Sequence, residues 1–315
     1  MKTKHLTSIR DLSGAEIMDV LVQTKKLKAL SYKGKNPQAM KGKVLAMIFQ
    51  KPSTRTRVSF ETGAFQLGGT AIYLSSHDTQ LGRGESVPDS ARVLSRFCDI
   101  IMARVFGHSD IENLAKYATV PVINGLSDFS HPCQILADLF TIYEKGRKIN
   151  KNLKVAYIGD GNNITHSWIF AAGKVGFRFV SASPSGYEPL KEVVEEARRD
   201  AKKSGAVIEV TNDPVEAAKG ADVIYTDTWA SMGQEKEHDA RVKIFMPYQV
   251  NQRLVSSAKK DCLVMHCLPA HRGEEITDEV MDGPNSIVFD EAENRLHVQK
   301  TVMIELLKNA VSLRS

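Results

Sequence analysis

The sequence predicts an α/β protein with two doubly wound domains, each with a central parallel sheet flanked by helices. Three observations favour this fold. Short apolar runs alternate with amphipathic stretches through both halves of the chain, which is typical of β-α units. A polar stretch at 145–152, containing Gly146, separates the halves. The length of 315 residues suits about two domains of roughly 150 residues each.

Capping signals and apolar runs predict the elements in order. Ser13 and Glu16 have the spacing of a capping box and predict a helix to about Leu30. Pro132 suits the first position of a helix that runs to about Glu144. The other elements predicted in the first half are strands at 44–49, 71–74, 99–103 and 120–123 and helices at 58–65, 87–97 and 111–117. Those predicted in the second half are strands at 155–158, 177–182, 207–210, 223–225, 263–266 and 287–289 and helices at 164–175, 189–203 and 296–313.

Composition limits the class of ligand and the compartment. The net charge of +5 comes from 42 basic and 37 acidic residues without a long basic run, which favours an anionic small molecule over nucleic acid. No apolar run approaches the roughly 20 residues of a membrane span, and the first residues lack the apolar core of a signal peptide. Four cysteines without a CxxC pair indicate reduced thiols, so we expect a cytoplasmic protein.

The stretch Lys51-Pro52-Ser53-Thr54-Arg55-Thr56-Arg57 lies between a predicted buried strand and a predicted helix. Ser53 suits the N-cap of that helix. Unpaired first-turn N–H groups and the helix dipole form an anion site at such a turn. Three hydroxyls and two guanidinium groups within five residues suit a phosphate. A capped helix start with solvated arginines would give the same pattern.

Two further motifs of the first half follow predicted strands. Arg104 ends a buried strand, where its charge requires a partner; a structural ion pair is the alternative to a binding role. His131-Pro132-Cys133-Gln134 precedes a helix. The His131 and Gln134 side chains could polarise a carbonyl oxygen, although this motif taken alone favours an ordinary loop histidine.

In the second half, Gly159-Asp160-Gly161-Asn162-Asn163 resembles a dinucleotide fingerprint, but Ile164 occupies the third glycine position. No acidic residue ends the next strand, so we discount NAD. The two asparagines could bind the carboxylate of an amino acid or cap the helix. Asp227 follows another strand and could pair with a substrate ammonium group, or be a turn aspartate.

His266-Cys267-Leu268-Pro269-Ala270-His271 ends a further predicted strand. On a strand, residues 266 and 267 would point to opposite faces, and no second Cys/His cluster completes a set of four ligands. We therefore expect no metal site. Cys267 also lacks an activating base nearby in the sequence, which weakens a nucleophilic role.

Taken together, these motifs resemble the aspartate/ornithine carbamoyltransferase family. Six matching pieces lie in the family's order between residues 53 and 295: Ser53-Thr54-Arg55-Thr56-Arg57, Arg104, His131-Pro132-Cys133-Gln134, Asp227 with Ser231-Met232-Gly233, His266-Cys267-Leu268-Pro269 and Glu291-Ala292-Glu293-Asn294-Arg295. The Asp227 and Cys267 motifs are those of the family's ornithine branch. The third position of the His131 motif, here Cys133, varies in the family.

The resemblance implies a carbamoyl-phosphate-binding domain at 1–146, an ornithine-binding domain at 147–296 and a final helix at 297–315 that packs back on the first domain. It implies that Arg57 pairs with Glu61 and that Arg295 acts from the second domain. The residues implied to bind carbamoyl phosphate are Ser53, Thr54, Arg55, Thr56, Gln80, Arg104, His131, Pro132, Cys133, Gln134, Cys267, Leu268 and Arg295. Those implied to bind ornithine are Asn163, Asp227, Ser231 and Met232, and those implied to be catalytic are Arg104, His131, Cys267 and Arg295.

The implied reaction is attack of a neutral δ-amine on the carbamoyl carbon, without metal or organic cofactor and with domain closure around the reactants. The resemblance also implies a homotrimer or a multiple of trimers, with Gln80 near a neighbouring subunit's site, and no nucleic-acid or membrane partner. Three alternatives remain at this point: transfer to another amine such as aspartate or putrescine, a catalytically silent binding module, and a dehydrogenase.

Overall fold

A four-stranded and a five-stranded sheet, both parallel, organise the chain. The computed structural model describes residues 1–76, 79–230 and 237–312. One compact unit comprises Met1–Phe140 and Asn294–Ser315, and the other comprises Thr141–Glu293. The predicted α/β class with two parallel sheets is confirmed.

The first unit contains the sheet with strand order β2-β1-β3-β4. Its strands are β1 (Val44–Phe49), β2 (Thr70–Ser75), β3 (Ile100–Arg104) and β4 (Val122–Leu126). The helices from α1 to α5 are α1 (Gly14–Tyr32), α2 (Thr54–Gln66), α3 (Val87–Phe97), α4 (His108–Tyr117) and α5 (Pro132–Glu144), with 3₁₀ helices at Ile9–Asp11 and Gln80–Arg83. The predicted Ser13–Glu16 capping box is present. Apolar residues of β1, β3 and β4 pack against those of α3 and α4 to form part of the core.

The second unit contains the sheet with strand order β7-β6-β5-β8-β9. Its strands are β5 (Lys154–Ile158), β6 (Arg178–Ala182), β7 (Val207–Thr211), β8 (Val223–Thr226) and β9 (Leu263–His266). Its helices are α6 (Asn163–Val175), α7 (Lys191–Ser204), α8 (Pro214–Ala218), α9 (His238–Phe245), α10 (Gln252–Val255) and α11 (Asp278–Met281), with a 3₁₀ helix at Met246–Tyr248. Helices α8 to α11 were not predicted, and most of them are too short for a periodic apolar pattern.

The strand predicted at 287–289 is wrong. The last helix, α12 (Val288–Ser312), already includes two of its three residues. Strand pairing there is limited to an isolated bridge between Val264 and Ser286. Phe289 is largely exposed, so the apolar triplet is not a buried strand but the start of a helix. A short apolar run does not distinguish these two structures.

Because Asn294 begins the second segment of the first unit, Arg295 belongs to that unit. The expectation that Arg295 acts on carbamoyl phosphate from the second domain stays a prediction. A continuous helix passes from one unit to the other at this point, and the sequence contains no break to mark the change. Among the described residues, no helix has both the length and the apolar character needed to cross a membrane.

Candidate active site

The predicted phosphate motif forms the start of α2. Ser53 is its N-cap: the Ser53 hydroxyl oxygen accepts a hydrogen bond from the Thr56 backbone N–H at 3.3 Å. The Ser53 hydroxyl also donates to the Thr56 side-chain oxygen at 3.1 Å. The capped turn therefore places two hydroxyl groups and the start of the helix at the carboxyl end of β1, where parallel sheets bind ligands.

The two arginines of the motif have different surroundings. The Arg57 side chain lies over the Tyr73 ring at 4.0 Å and pairs with Glu61 at 3.0 Å. The expected Arg57–Glu61 pair is thus confirmed. Arg55 is half-buried and is the arginine that the motif offers to an anion.

Arg295 joins this motif from the other end of the sequence. Its Nη2 donates to the Thr56 side-chain oxygen at 2.8 Å, and the guanidinium is buried. A buried charge-assisted hydrogen bond of this kind fixes both partners. Arg295 therefore lies at the start of α2, within the same unit.

Arg104 and His131 add a buried guanidinium group and a buried imidazole to the first unit. Phe49 pairs with Arg104 across β1 and β3, so Arg104 lies beside the end of the strand that leads into the phosphate motif. His131 is buried just before α5. Burial, together with the positive charges of Arg295 and Arg104, holds the pKa of His131 well below its usual range. At neutral pH, His131 is a neutral imidazole beside two arginines.

The remaining residues expected to bind carbamoyl phosphate have varied surroundings. Pro132 is the first residue of α5. Cys133 is fully buried, and burial raises the pKa of its thiol to about 12. The Gln134 amide donates to Asp138 Oδ1 at 2.8 Å. Gln80 is exposed in a 3₁₀ helix.

In the second unit, the register of β8 and β9 brings Asp227 and Cys267 together. Thr226 pairs with His266, so the residues that follow leave the sheet side by side. The Cys267 thiol donates to Asp227 Oδ1 at 3.1 Å. A carboxylate and a thiol separated by 40 residues in sequence therefore form one buried polar group.

Asp227 also accepts hydrogen bonds from the Thr228 N–H at 2.8 Å, from the Thr228 hydroxyl at 3.5 Å and from Asn162 Nδ2 at 3.1 Å. Asn162 is the N-cap of α6, so the capping role weighed for the asparagines is correct at this position. Its contact with Asp227 was not predicted. Asn163 is the first residue of α6, and Ser231 and Met232 lie outside the described residues.

The second glycine of the motif that resembles a dinucleotide fingerprint, Gly161, has a packing role. A Cβ atom at Gly161 would lie 2.2 Å from the Pro189 backbone nitrogen. The Gly161 N–H donates to the Tyr187 carbonyl at 2.8 Å. The chain's own backbone thus occupies the space over Gly161, which further weakens the dehydrogenase alternative.

The expectation that residues 266 and 267 point apart is wrong, because β9 ends at His266 and strand alternation stops there. Ligand atoms of Asp227, His266 and Cys267 lie within 4.8 Å of one another. Both ring nitrogens of His266 have partners, however: Nε2 contacts Glu275 Oε1 at 3.0 Å and Nδ1 accepts the Leu268 N–H at 2.9 Å. His266 therefore supports the Cys267-Leu268 turn.

Two charged residues that sequence reasoning left without a role hold this framework. The Glu291 carboxylate accepts the His266 backbone N–H at 2.9 Å and the Tyr225 hydroxyl at 3.2 Å. Arg241 on α9 donates to Asp160 and to the Trp229 carbonyl, both at 2.5 Å. Arg241 thus connects the loops that follow β5 and β8. Glu291 belongs to a motif that the sequence shows, whereas α9, the helix that carries Arg241, was not predicted.

Comparison with known proteins decides the family. A family model described as "Aspartate/ornithine carbamoyltransferase, carbamoyl-P binding domain" matches residues 4–144, and one described as "Aspartate/ornithine carbamoyltransferase, Asp/Orn binding domain" matches 151–306. The chain belongs to the aspartate/ornithine carbamoyltransferase family. The two models match stretches that contain, respectively, the Ser53–Arg57 motif and the Asp227–Cys267 pair.

Relatives in this family are similar over nearly the whole chain. The ornithine carbamoyltransferase of Thermococcus kodakarensis is 59% identical over 95% of both chains. The solved structure of the Pyrococcus furiosus ornithine carbamoyltransferase is 58% identical, with a TM-score of 0.92 over 95% of both chains. That of the anabolic ornithine carbamoyltransferase from Campylobacter jejuni is 42% identical, with a TM-score of 0.91 over 96% of this chain and 99% of the other.

Proposed function

We propose that this protein is an ornithine carbamoyltransferase, which transfers the carbamoyl group of carbamoyl phosphate to the δ-amine of L-ornithine and releases L-citrulline and phosphate. Relatives of that name, 58% and 59% identical over 95% of both chains, support the proposal. The observation that carries the choice of acceptor is the buried Asp227 carboxylate beside Cys267. It would attract the α-ammonium of ornithine and repel the second carboxylate of aspartate.

Carbamoyl phosphate takes its contacts mainly from the first unit. The α2 start supplies hydroxyls, N–H groups and Arg55 to the phosphate, and Arg295 reinforces this turn through Thr56. Arg104, His131 and Gln134 face the carbamoyl group. The full proposed set comprises Ser53, Thr54, Arg55, Thr56, Gln80, Arg104, His131, Pro132, Cys133, Gln134, Cys267, Leu268 and Arg295.

Ornithine takes its contacts from the second unit. Asp227 holds the α-ammonium, while Asn163, Ser231 and Met232 hold the α-carboxylate end. Cys267 orients the δ-nitrogen without forming a covalent bond to it. A thiol that already donates to Asp227 can be reoriented by an approaching amine because its hydrogen rotates freely.

The chemistry then needs only the groups named above. The neutral δ-amine attacks the carbamoyl carbon, and a C–N bond forms. The C–O bond to phosphate breaks, and the proton that the amine loses passes to the departing phosphate. Arg55, Arg104 and the helix dipole stabilise the charge that develops on the carbonyl oxygen and the leaving phosphate. Neutral His131 donates a hydrogen bond to the carbonyl oxygen. This mechanism uses neither a metal nor an organic cofactor.

Acceptor-dependent turnover tests the proposal. Carbamoyl phosphate is supplied with ornithine, aspartate, putrescine or lysine, and ureido products are measured by a colour assay. We expect ornithine to be the preferred acceptor. Preference for aspartate or putrescine would reassign the acceptor within the family, and lack of turnover with every amine would indicate a silent binding module.

We further propose a homotrimer, or a multiple of trimers, in which Gln80 contributes to the site of a neighbouring subunit. The exposure of Gln80 supports this proposal. Subunit exchange between an Arg55→Ala preparation and a Gln80→Ala preparation should restore part of the activity. Some sites in the mixed oligomers would then combine an intact Arg55 from one subunit with an intact Gln80 from its neighbour. Full activity from a monomer at assay concentration would contradict the proposal.

We also propose a cytoplasmic location and a role in arginine biosynthesis. The thiols of cysteines 98, 133, 262 and 267 are buried and form no disulfide with one another, which suits a reducing compartment. A relative from Pyrococcus furiosus, 58% identical, carries the name "Ornithine carbamoyltransferase, anabolic". Steady-state kinetics in both directions would test the role: faster citrulline formation than citrulline breakdown is expected.

A further inference from the structure

A second group of metal-ligating side chains lies in the second unit, apart from the residues described above. His238, His271 and Glu274 each direct one ligand atom toward the others, and these atoms lie within 4.8 Å of one another. The side chains are 35%, 42% and 28% exposed, respectively. An ion from solvent can therefore reach all three.

The donor atoms are close to the spacing that zinc requires. His238 Nε2 lies 3.1 Å and His271 Nδ1 lies 3.5 Å from the same carboxylate oxygen, Glu274 Oε2. Tetrahedral zinc with bonds of 2.0–2.1 Å places its ligand atoms about 3.3 Å apart. Two of the three separations already match this value.

The backbone of residues 271–274 holds two of the ligands side by side. The Glu274 N–H donates to the His271 carbonyl at 2.9 Å, and Gly273 has a φ of +88°, which is typical of a type II turn. Gln249 Nε2 binds the Gly273 carbonyl at 2.8 Å. Bidentate contact between Arg272 and Asp282 anchors the same turn.

The surroundings of His238 match a metal ligand as well. Its second ring nitrogen, Nδ1, lies 3.3 Å from Asp239 Oδ1. Histidine ligands usually donate their other N–H to such a carboxylate, which fixes the ring orientation and increases the basicity of the ligand. His238 Nε2 is thereby directed toward Glu274 and His271.

We propose that His238, His271 and Glu274 bind a divalent transition-metal ion of the zinc type, with solvent completing the coordination. Two imidazoles and one carboxylate select such an ion over Mg²⁺ or Ca²⁺, which prefer oxygen ligands. The ion connects the first residue of α9 to the 271–274 turn. Because α9 also carries Arg241, which binds Asp160 and the Trp229 carbonyl, the ion stabilises the loops beside Asp227.

Cobalt binding to the full chain tests the site independently of any enzymatic activity. Protein stripped of metal with a chelator is titrated with Co²⁺ and followed by visible absorption, then competed with Zn²⁺ and with Mg²⁺. We expect one Co²⁺ per chain, displaced by Zn²⁺ and not by Mg²⁺. His238→Gln, His271→Gln and Glu274→Gln should each weaken binding by at least about 100-fold, and Asp239→Asn by about 10- to 100-fold.

Two control variants show whether binding depends on these three side chains. Glu279→Gln removes an exposed charge five residues from Glu274 and should leave Co²⁺ affinity within about twofold. Cys267→Ser should leave the spectrum unchanged, without a thiolate-to-cobalt band in either protein. Zn²⁺ should raise the thermal midpoint of the parent protein and not that of Glu274→Gln. Lack of Co²⁺ binding, equal affinity in the ligand variants, or loss of binding only in Cys267→Ser would overturn the proposal.

Discussion

Asp227→Asn is the substitution that tests the acceptor site most directly. Asn is nearly isosteric with Asp, so the change removes a charge with little change in volume. Both Asp227 oxygens accept hydrogen bonds, from Thr228 and Cys267 on one oxygen and from Asn162 on the other. An amide has only one acceptor oxygen, so at least one of these donors must face an NH₂ group.

The size of the expected loss in ornithine affinity follows from the burial of Asp227, which is 8% exposed. Truncating one partner of a buried, hydrogen-bonded charge pair costs about 2–5 kcal/mol. That corresponds to a loss of about 30-fold to several-thousand-fold in ornithine affinity. Carbamoyl phosphate affinity should change by less than about twofold, because its main proposed ligands lie in the other unit.

A substrate analogue isolates the predicted contact. 5-Aminopentanoate retains the carboxylate and the δ-amine of ornithine and lacks only the α-amino group. If Asp227 holds the α-ammonium, Asp227→Asn should greatly reduce turnover of ornithine and leave the low turnover of 5-aminopentanoate nearly unchanged. Steady-state kinetics with both amines at saturating carbamoyl phosphate measure the two effects. An equal loss with both amines would refute the assignment.

Asp222→Asn is the matched control. Asp222 is 7% exposed and directly precedes β8, whereas Asp227 directly follows it. The Asp222 carboxylate accepts from the Lys154 N–H at 2.8 Å and from Lys259 Nζ at 2.6 Å. If the effect at Asp227 came only from a weakened β8, Asp222→Asn would reproduce it. We expect Asp222→Asn to lower stability and to leave the preference for ornithine intact.

Three further changes test other parts of the protein. Arg55→Ala should weaken carbamoyl phosphate binding by at least about 30-fold in a direct titration; unchanged affinity would contradict the phosphate assignment. Cys267→Ser should raise the ornithine KM about fivefold and leave the carbamoyl phosphate KM unchanged. Burial lowers the pKa of His5 to about 4, so its stabilising contribution is lost as pH falls from about 6.5 to 4. Urea unfolding should show that His5→Gln reduces the loss of unfolding free energy over this pH range by about 1–2 kcal/mol. An equal loss in the parent protein and the variant would refute this.

The parts of the site that local sequence could predict are those built by neighbouring residues. Ser53 caps α2, and Arg57 pairs with Glu61 one helical turn away. Both follow from helix geometry, which fixes contacts at three and four residues' separation. The parallel sheets were predictable for a similar reason, because β-α alternation leaves few possible topologies.

The contacts that could not be predicted depend on strand register and on the path of one helix. The contact between Asp227 and Cys267 requires that Thr226 pair with His266, and a shift of the register would separate them. Arg295 reaches Thr56 over 239 residues of sequence because α12 enters the first unit at Asn294. No local pattern determines either contact, since apolar spacing predicts which face is buried and not which residue it meets.

His131 and the two arginines near it have different roles in the proposed mechanism, because His131 is neutral and the arginines are charged. Burial opposes protonation of His131, and a protonated imidazole would add a third buried positive charge to those of Arg295 and Arg104. His131 therefore supplies a hydrogen bond and not a charge, and its protonation does not control the rate near neutral pH. The arginines remain charged throughout that range. In the proposed reaction, the group that must change its protonation state is the δ-amine of ornithine, so the rate should rise from neutral to alkaline pH as that amine is deprotonated.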